Sequence, residues 1–196
     1  APLRMLQGAL AALGIGLTAR AFIDAGRDME NFTTRLRAGL QSVSEGNRVF
    51  QDMYRYAMQV PFTFHDIMNS AANMAPIVRG GAAEINRIMR ISGDIAAATG
   101  MSIQEAAGQM TRIYSAGPGA ADLFRERGVL QALGFTPGVE MHAREAMRRI
   151  YQQVENGTFR FQGSTAQMAR TWDGVFSMLE DKWFDFRTRL MDAGVF

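Results

Sequence analysis

The chain holds only two histidines, and each stands near a carboxylate with which it could share a proton. In the stretch VPFTFHDIM, from Val60 to Met68, His65 is followed directly by Asp66, and further on His142 and Glu145 are one short helical turn apart. A catalytic histidine–aspartate dyad needs its two side chains face to face. Neighbours on a helix diverge by about 100 degrees, so His65 and Asp66 do not form one. Thr63 and Asp66 have instead the spacing of a capping box, with aspartate standing in for the usual glutamate, and this predicts a helix start. Asp66 also suits the positive end of that helix's dipole. His142 and Glu145 share a helical face, but two ligands make no metal site, and a diiron bundle would need a second copy of the pair and further glutamates.

Other reactive constellations are missing from the sequence. There is no cysteine, which excludes disulfides, thiolate metal sites and a cysteine nucleophile together. No GxGxxG, Walker loop or GxSxG occurs. Paired carboxylates could do glycoside chemistry, yet no acid stands in a setting that must raise its pKa. The expectation is therefore a chain with no catalytic residue, metal or cofactor.

The elements that position these residues read as helices. The 196 residues are 47% hydrophobic, enough to bury a core. No apolar run approaches the roughly 18 to 20 residues of a membrane span, and the opening residues lack the layout of a secretion signal, which predicts a soluble protein. The 21 basic and 19 acidic residues leave a net charge of +2. Many of them interleave at helical spacing: Glu140 with Arg144, Glu145 with Arg149, Asp185 with Arg189, and Asp52 with Arg55. That pattern describes a solvated helix surface and not an unpaired basic stripe for nucleic acid.

Start and stop signals divide the chain. A first helix is predicted over Ala9 to Ala38, ending at Gly39, with Gly8, Ala12 and Gly16 at a spacing that admits a close helix neighbour. A second starts at Ser42, with Glu45 three residues on, and stops at Pro61. The third opens at Thr63, is interrupted by Pro76 and ends at Gly80-Gly81. The fourth runs from about Ala82 to Thr99, with Gly100 as a left-handed cap. The fifth begins with the full capping box of Ser102 and Glu105 and closes at Gly117-Pro118-Gly119. A short helix over Ala120 to Arg127 leads into a Gly-rich connection, and Thr136-Pro137 is expected to open the next helix. After the Asn156-Gly157 turn, Thr158 to Phe161 alternate as one short strand would. Ser164 and Gln167 then cap a last helix reaching at least Met191.

That last helix carries Trp172, Phe176, Leu179, Trp183, Phe186 and Leu190 in steps of four, three, four, three, four, a heptad seam. The seam either packs on the rest of the domain or starts an oligomeric coil, so these six are the interaction candidates. The 14 methionines suit core packing, and also helices that exchange partners. The fold class expected is all-α: a compact domain of about seven helices with Gly/Pro-rich connections and a long C-terminal amphipathic helix, spanning 1–196 with a possible hinge near 117–119.

Four stretches, in order, carry a resemblance. They are Pro61-Phe62-Thr63-Phe64 opening a helix, RISGDIAAATGMSIQEAAGQMTRIYSAG from Arg90 to Gly117, DLFRERGV from Asp122 to Val129, and STAQMARTWDGVFSMLEDKW from Ser164 to Trp183. Together they resemble the tape measure domain of tail tape measure proteins from long-tailed bacteriophages, over most of the chain from about Ala19 onward. At 196 residues the chain is shorter than such proteins usually are, which fits an excised domain or an unusually short tail. The resemblance implies an interaction protein of the virion, made in the host cytoplasm and placed inside the tail tube or at the tail tip. Its implied partners are tail tube and tail tip or initiator proteins, with a homo-oligomer through the C-terminal helix as a further possibility. It implies no specific nucleic acid, and membrane contact only during DNA ejection. One unbroken helix of this chain would reach roughly 290 Å at about 1.5 Å per residue, but the Gly-Pro breaks forbid such a rod, so a folded anchor or cap of the tape is expected. The competing readings are a wall-degrading enzyme domain and a membrane-active module built on Gly8 to Leu17.

Overall fold

In the computed structural model the described residues are 19–136, 138–171 and 185, with backbone only for 19–25. Every regular element among them is helical. The order is α1 (Ala19–Leu40), α2 (Val43–Ala57), α3 (Phe64–Met74), α4 (Gly81–Thr99), α5 (Ile103–Ala116), a 3-10 turn (Pro118–Ala120), α6 (Asp122–Glu126), α7 (Val129–Ala132), α8 (Ala143–Glu155) and α9 (Ser164–Met168). These nine α-helices exceed the expected number of about seven. One addition is α7, inside the connection read as Gly-rich, where Gly128 at φ 70 separates it from α6.

The core forms where the apolar faces of α2 to α5 meet. Met53, Ile67, Met68, Met74, Ile85, Ile88, Met89, Ile95 and Ile103 are all shut off from solvent, and Ile85, Ile88, Met89, Ser92 and Ile95 form one face of α4 as their spacing predicts. Phe64, the first residue of α3, is fully buried and makes edge-to-face pairs with Phe32 at 5.9 Å, Phe50 at 6.4 Å and Tyr54 at 5.8 Å between ring centres. Such edge-to-face pairs add to simple burial, which is why one short stretch anchors three helices. On the outside, the Arg35 fork ties α1 to α3 by donating to Asn69 at 2.8 Å and Asn73 at 3.0 Å.

Several helix starts are closed by side chains from elsewhere in the chain. The first amides of a helix have no internal acceptor, so they need one from outside. Ser42 accepts from the Glu45 amide at 3.2 Å, but the Glu45 carboxylate does not reach back to its own cap residue: it accepts from the Ala82 amide of α4 at 2.8 Å. Asp94 of α4 likewise accepts from the Gly163 amide at 3.1 Å and the Thr165 amide at 3.0 Å, closing α9. Gln109 of α5 accepts from the Leu123 amide at the start of α6 at 3.2 Å.

Helix α2 meets α4 at two places. Glu45 caps Ala82, and the Tyr56 ring reaches over Gly93, where an added Cβ would fall on the phenol oxygen. Both pairs of positions are separated by the same eleven residues, about three helical turns, so the two helices run parallel with one face of each held to the other. The Tyr56 and Thr165 hydroxyls lie buried together over Gly93, bringing α9 into the same contact.

Some predicted boundaries move. Helix α1 runs through Gly39 to Leu40, and Gln41 takes the left-handed turn at φ 51. Helix α2 stops at Ala57, short of Pro61, and α3 is complete at Met74 before Pro76, which therefore interrupts nothing. Gly100 caps α4 at φ 70 as its position predicts. The helix expected at Thr136-Pro137 starts only at Ala143. Thr136 instead opens a turn whose carbonyl accepts from the Val139 amide at 3.3 Å, and Val139 is 61% exposed. Residues 158–161 form turns and no strand. Their alternation reflects Phe159 and Phe161, both buried and packed on each other at 5.6 Å. The continuous helix from Ser164 to Met191 is not formed: α9 ends at Met168, a turn and a bend occupy 169–171, and beyond that only residue 185 is described.

Two glycines on exposed and buried faces give opposite outcomes. Gly93→Ala should lower the unfolding free energy by about 1–3 kcal/mol because the new methyl would fall on the hydroxyl of the buried Tyr56. Gly108→Ala, on an exposed face with nothing within 4 Å of the new methyl, should raise it by roughly 0.5–1 kcal/mol. Denaturant titration reads both, and equal effects of one sign would contradict the packing described. Asp94→Ala should cost about 1 kcal/mol and speed amide exchange at Gly163 and Thr165, while leaving exchange at Glu105 unchanged.

Candidate functional site

An open groove of about 880 Å³ lies between α4, α5 and α8, with Pro76, Ile77 and Arg79 at its lip. Glu84, in the first turn of α4, lies at its floor. The Tyr151 hydroxyl of α8 donates to one Glu84 oxygen at 3.1 Å and the Tyr114 hydroxyl of α5 to the other at 3.3 Å. Tyr114 in turn accepts from the Arg79 amide at 3.0 Å, which fastens the α3–α4 connection to the groove wall. Arg87, one turn on from Glu84, stacks on the Tyr151 ring at 3.8 Å and donates to Glu155 at 2.5 Å.

Electrostatics decide what these groups can do. Burial, reinforced by the Glu84 charge and the hydrogen bond to it, pushes the Tyr151 phenol well above its ordinary range. It therefore stays protonated at neutral pH and acts as a donor. Four arginines, Arg79, Arg87, Arg144 and Arg148, line the groove against the carboxylates Glu84 and Glu155. Arg148 pairs with Glu145, which also holds Arg149 at 2.9 Å. Arg79 and Arg144 have no acidic partner among the described residues. Such a surface holds protons in place and presents cations, which is the equipment of recognition.

The residues singled out from the sequence fall elsewhere. Thr63 accepts from the Asp66 amide at 3.2 Å, but the Asp66 carboxylate takes the Gln104 amide group at 2.5 Å and does not return to Thr63. The box is therefore half formed, and its second half links α3 to α5. His65 faces away from Asp66 and meets Asp28 of α1 at 2.7 Å, on the exposed side of Phe32. At Ser102 both bonds of the box are present, the Glu105 amide donating at 3.1 Å and the Glu105 carboxylate accepting from the Ser102 amide at 2.9 Å. The Ser102 amide, joined by the Ser102 hydroxyl donating at 3.0 Å, holds the Glu105 carboxyl below its usual range.

Ser164 and Gln167 do not cap: Gly163 occupies the cap position with no side-chain bond of its own, and the acceptor is Asp94. His142 stands at the start of α8 without capping it, and Glu145 turns to its two arginines. The predicted Asp52 to Arg55 pair forms at 2.7 Å, whereas Glu140 precedes α8 and makes no pair with Arg144. Trp172, Phe176, Leu179, Trp183, Phe186 and Leu190 lie outside the described residues, as do Gly8, Ala12, Gly16 and Pro137. Among the described residues no group of three or more histidines and acids could hold a metal ion, and no helix is long and apolar enough to cross a membrane.

The groove was not singled out from sequence, since its floor joins residues 30 and 67 positions apart. One signal was present: Arg144, Arg148, Tyr151 and Glu155 follow steps of four, three, four along one face of α8. A Tyr151→Phe variant tests the floor. A phenol whose folded pKa is raised contributes stability below its ordinary pKa and loses it as pH rises past that value. The native chain should therefore weaken above about pH 10, and Tyr151→Phe should weaken less steeply in alkaline denaturant titrations.

Comparison with family models, with curated proteins and with solved structures finds no match to this chain.

Proposed function

We propose that the chain is an interaction domain of a phage tail tape measure protein that anchors or caps the tape by docking on tail tip or tube proteins. In this role it takes part in tail assembly and length determination inside the virion and leaves with the DNA at ejection. The reading gives it no covalent chemistry and no cofactor.

The observation that carries the reading is how the four resembling stretches relate in space. The 90–117 stretch supplies the C-terminal half of α4 and all of α5. Each other stretch, or the helix it opens, is bonded to it: Asp66 of the helix begun after Thr63 to Gln104, Leu123 to Gln109, and Thr165 to Asp94. The described residues of these stretches, which in the last one end at Thr171, thus serve a single packing unit, which supports a domain built for shape and docking. Support for the anchor in place of the ruler comes from helix length. The longest described helix has 22 residues, which spans about 33 Å.

Deletion series in the encoding phage separate the two roles. Internal deletions within 19–171 should abolish tail assembly or leave tail length unchanged in electron micrographs. Tails that shorten in proportion to the residues removed would make this segment part of the ruler, and assembled particles lacking the chain altogether would remove the reading.

A further inference from the structure

We infer that the groove between α4, α5 and α8 receives an acidic peptide segment of a partner protein, its carboxylates meeting Arg79 and Arg144 and an apolar side chain lying on Ile77. This rests on the docking role proposed above and names the chemistry of the segment docked.

Charge complementarity selects the occupant. Of the four arginines in the groove, Arg87 is paired with Glu155 and Arg148 with Glu145, which leaves Arg79 and Arg144 against the single carboxylate of Glu84, whose oxygens accept from two phenols. Arg79 and Arg144 are exposed and without an acidic partner among the described residues. Arg144 also sits in the first turn of α8, where a cation opposes the helix dipole and where His142 supplies no side-chain cap. A carboxylate arriving from a partner would relieve that opposition. Two residues before Arg79 the groove also presents Ile77, a large apolar side chain 39% exposed, so a wholly polar ligand would leave it uncovered.

Nucleic acid fits less well. Glu84 and Glu155 would face a phosphate chain, and Arg87 already takes one face of the Tyr151 ring at 3.8 Å. The groove is also pre-formed, because Tyr114 and Tyr151 both brace Glu84, so little ordering opposes binding.

The test is fluorescence anisotropy on the full chain with a labelled, end-blocked hexapeptide alternating Glu and Leu, beside Gln–Leu and Lys–Leu counterparts. The Glu–Leu peptide should bind, weaken as salt rises, and lose about tenfold or more in affinity with the double variant Arg79→Ala/Arg144→Ala. Both arginines are exposed, so unchanged thermal unfolding checks that the variant is folded. Arg55→Ala, on α2 outside the groove, should leave binding as it was. No binding, equal binding of the Gln–Leu peptide, an equal loss in Arg55→Ala, or displacement by a single-stranded DNA oligonucleotide at lower concentration than unlabelled peptide would each overturn the proposal. The titration uses no tail protein. A negative result therefore leaves the docking role to another surface, whereas absence of the chain from tails removes that role without touching the titration.

Discussion

Helix α4 begins on a carboxylate that belongs to another helix. Glu45 of α2 closes its first turn at Ala82, and Asp94 on α4 then does the same for α9. Unmet amides at a helix start must find an acceptor, and here the acceptors are supplied across the fold, so these helices cannot be completed without being placed. Tyr56 over Gly93 adds a second point of contact between α2 and α4, and two points in equal register leave little freedom of rotation or slide. The buried apolar face of α4 supplies most of the attraction, but burial is non-directional. The carboxylate caps and the glycine contact make the arrangement specific.

The groove follows from that placement. Once Glu45 and Tyr56 set the face of α4, Glu84 and Arg87 project on the side left open to α5 and α8. Tyr114 and Tyr151 then converge on one carboxylate from two helices. The same bonds that rigidify the wall fill acceptor positions on both Glu84 oxygens with neutral phenols, while Arg87 pairs with the Glu155 charge. Arg79 and Arg144 stay exposed and without an acidic partner among the described residues, and Ile77 is exposed in the same groove.

Local signals in the sequence were sufficient wherever a helix end is decided by its own neighbours. The Ser102 and Glu105 box closes within four residues, Gly100 turns left-handed because α4 must stop there, and the α4 face of Ile85, Ile88, Met89, Ser92 and Ile95 follows from period alone. Signals misled where a motif is complete in type and its acceptor is taken elsewhere. Asp66 has the spacing to close its own box but reaches Gln104, Glu45 reaches Ala82, and Ser164 yields to Asp94. The Phe159 and Phe161 alternation looked like a strand because a turn that buries both rings shows the same period.

The sequence by itself determined that the described chain is helical, where most of its helices begin, and that His65 and Asp66, as neighbours on one helix, do not face each other. Each of these depends on interactions spanning a few residues, which spacing records directly. Only the tertiary structure decided which carboxylate caps which helix, that His65 meets Asp28, and that Glu84, Tyr114 and Tyr151 share one site. Those choices depend on the relative placement of helices far apart in the chain, and helical period carries no record of which neighbour a given face will meet.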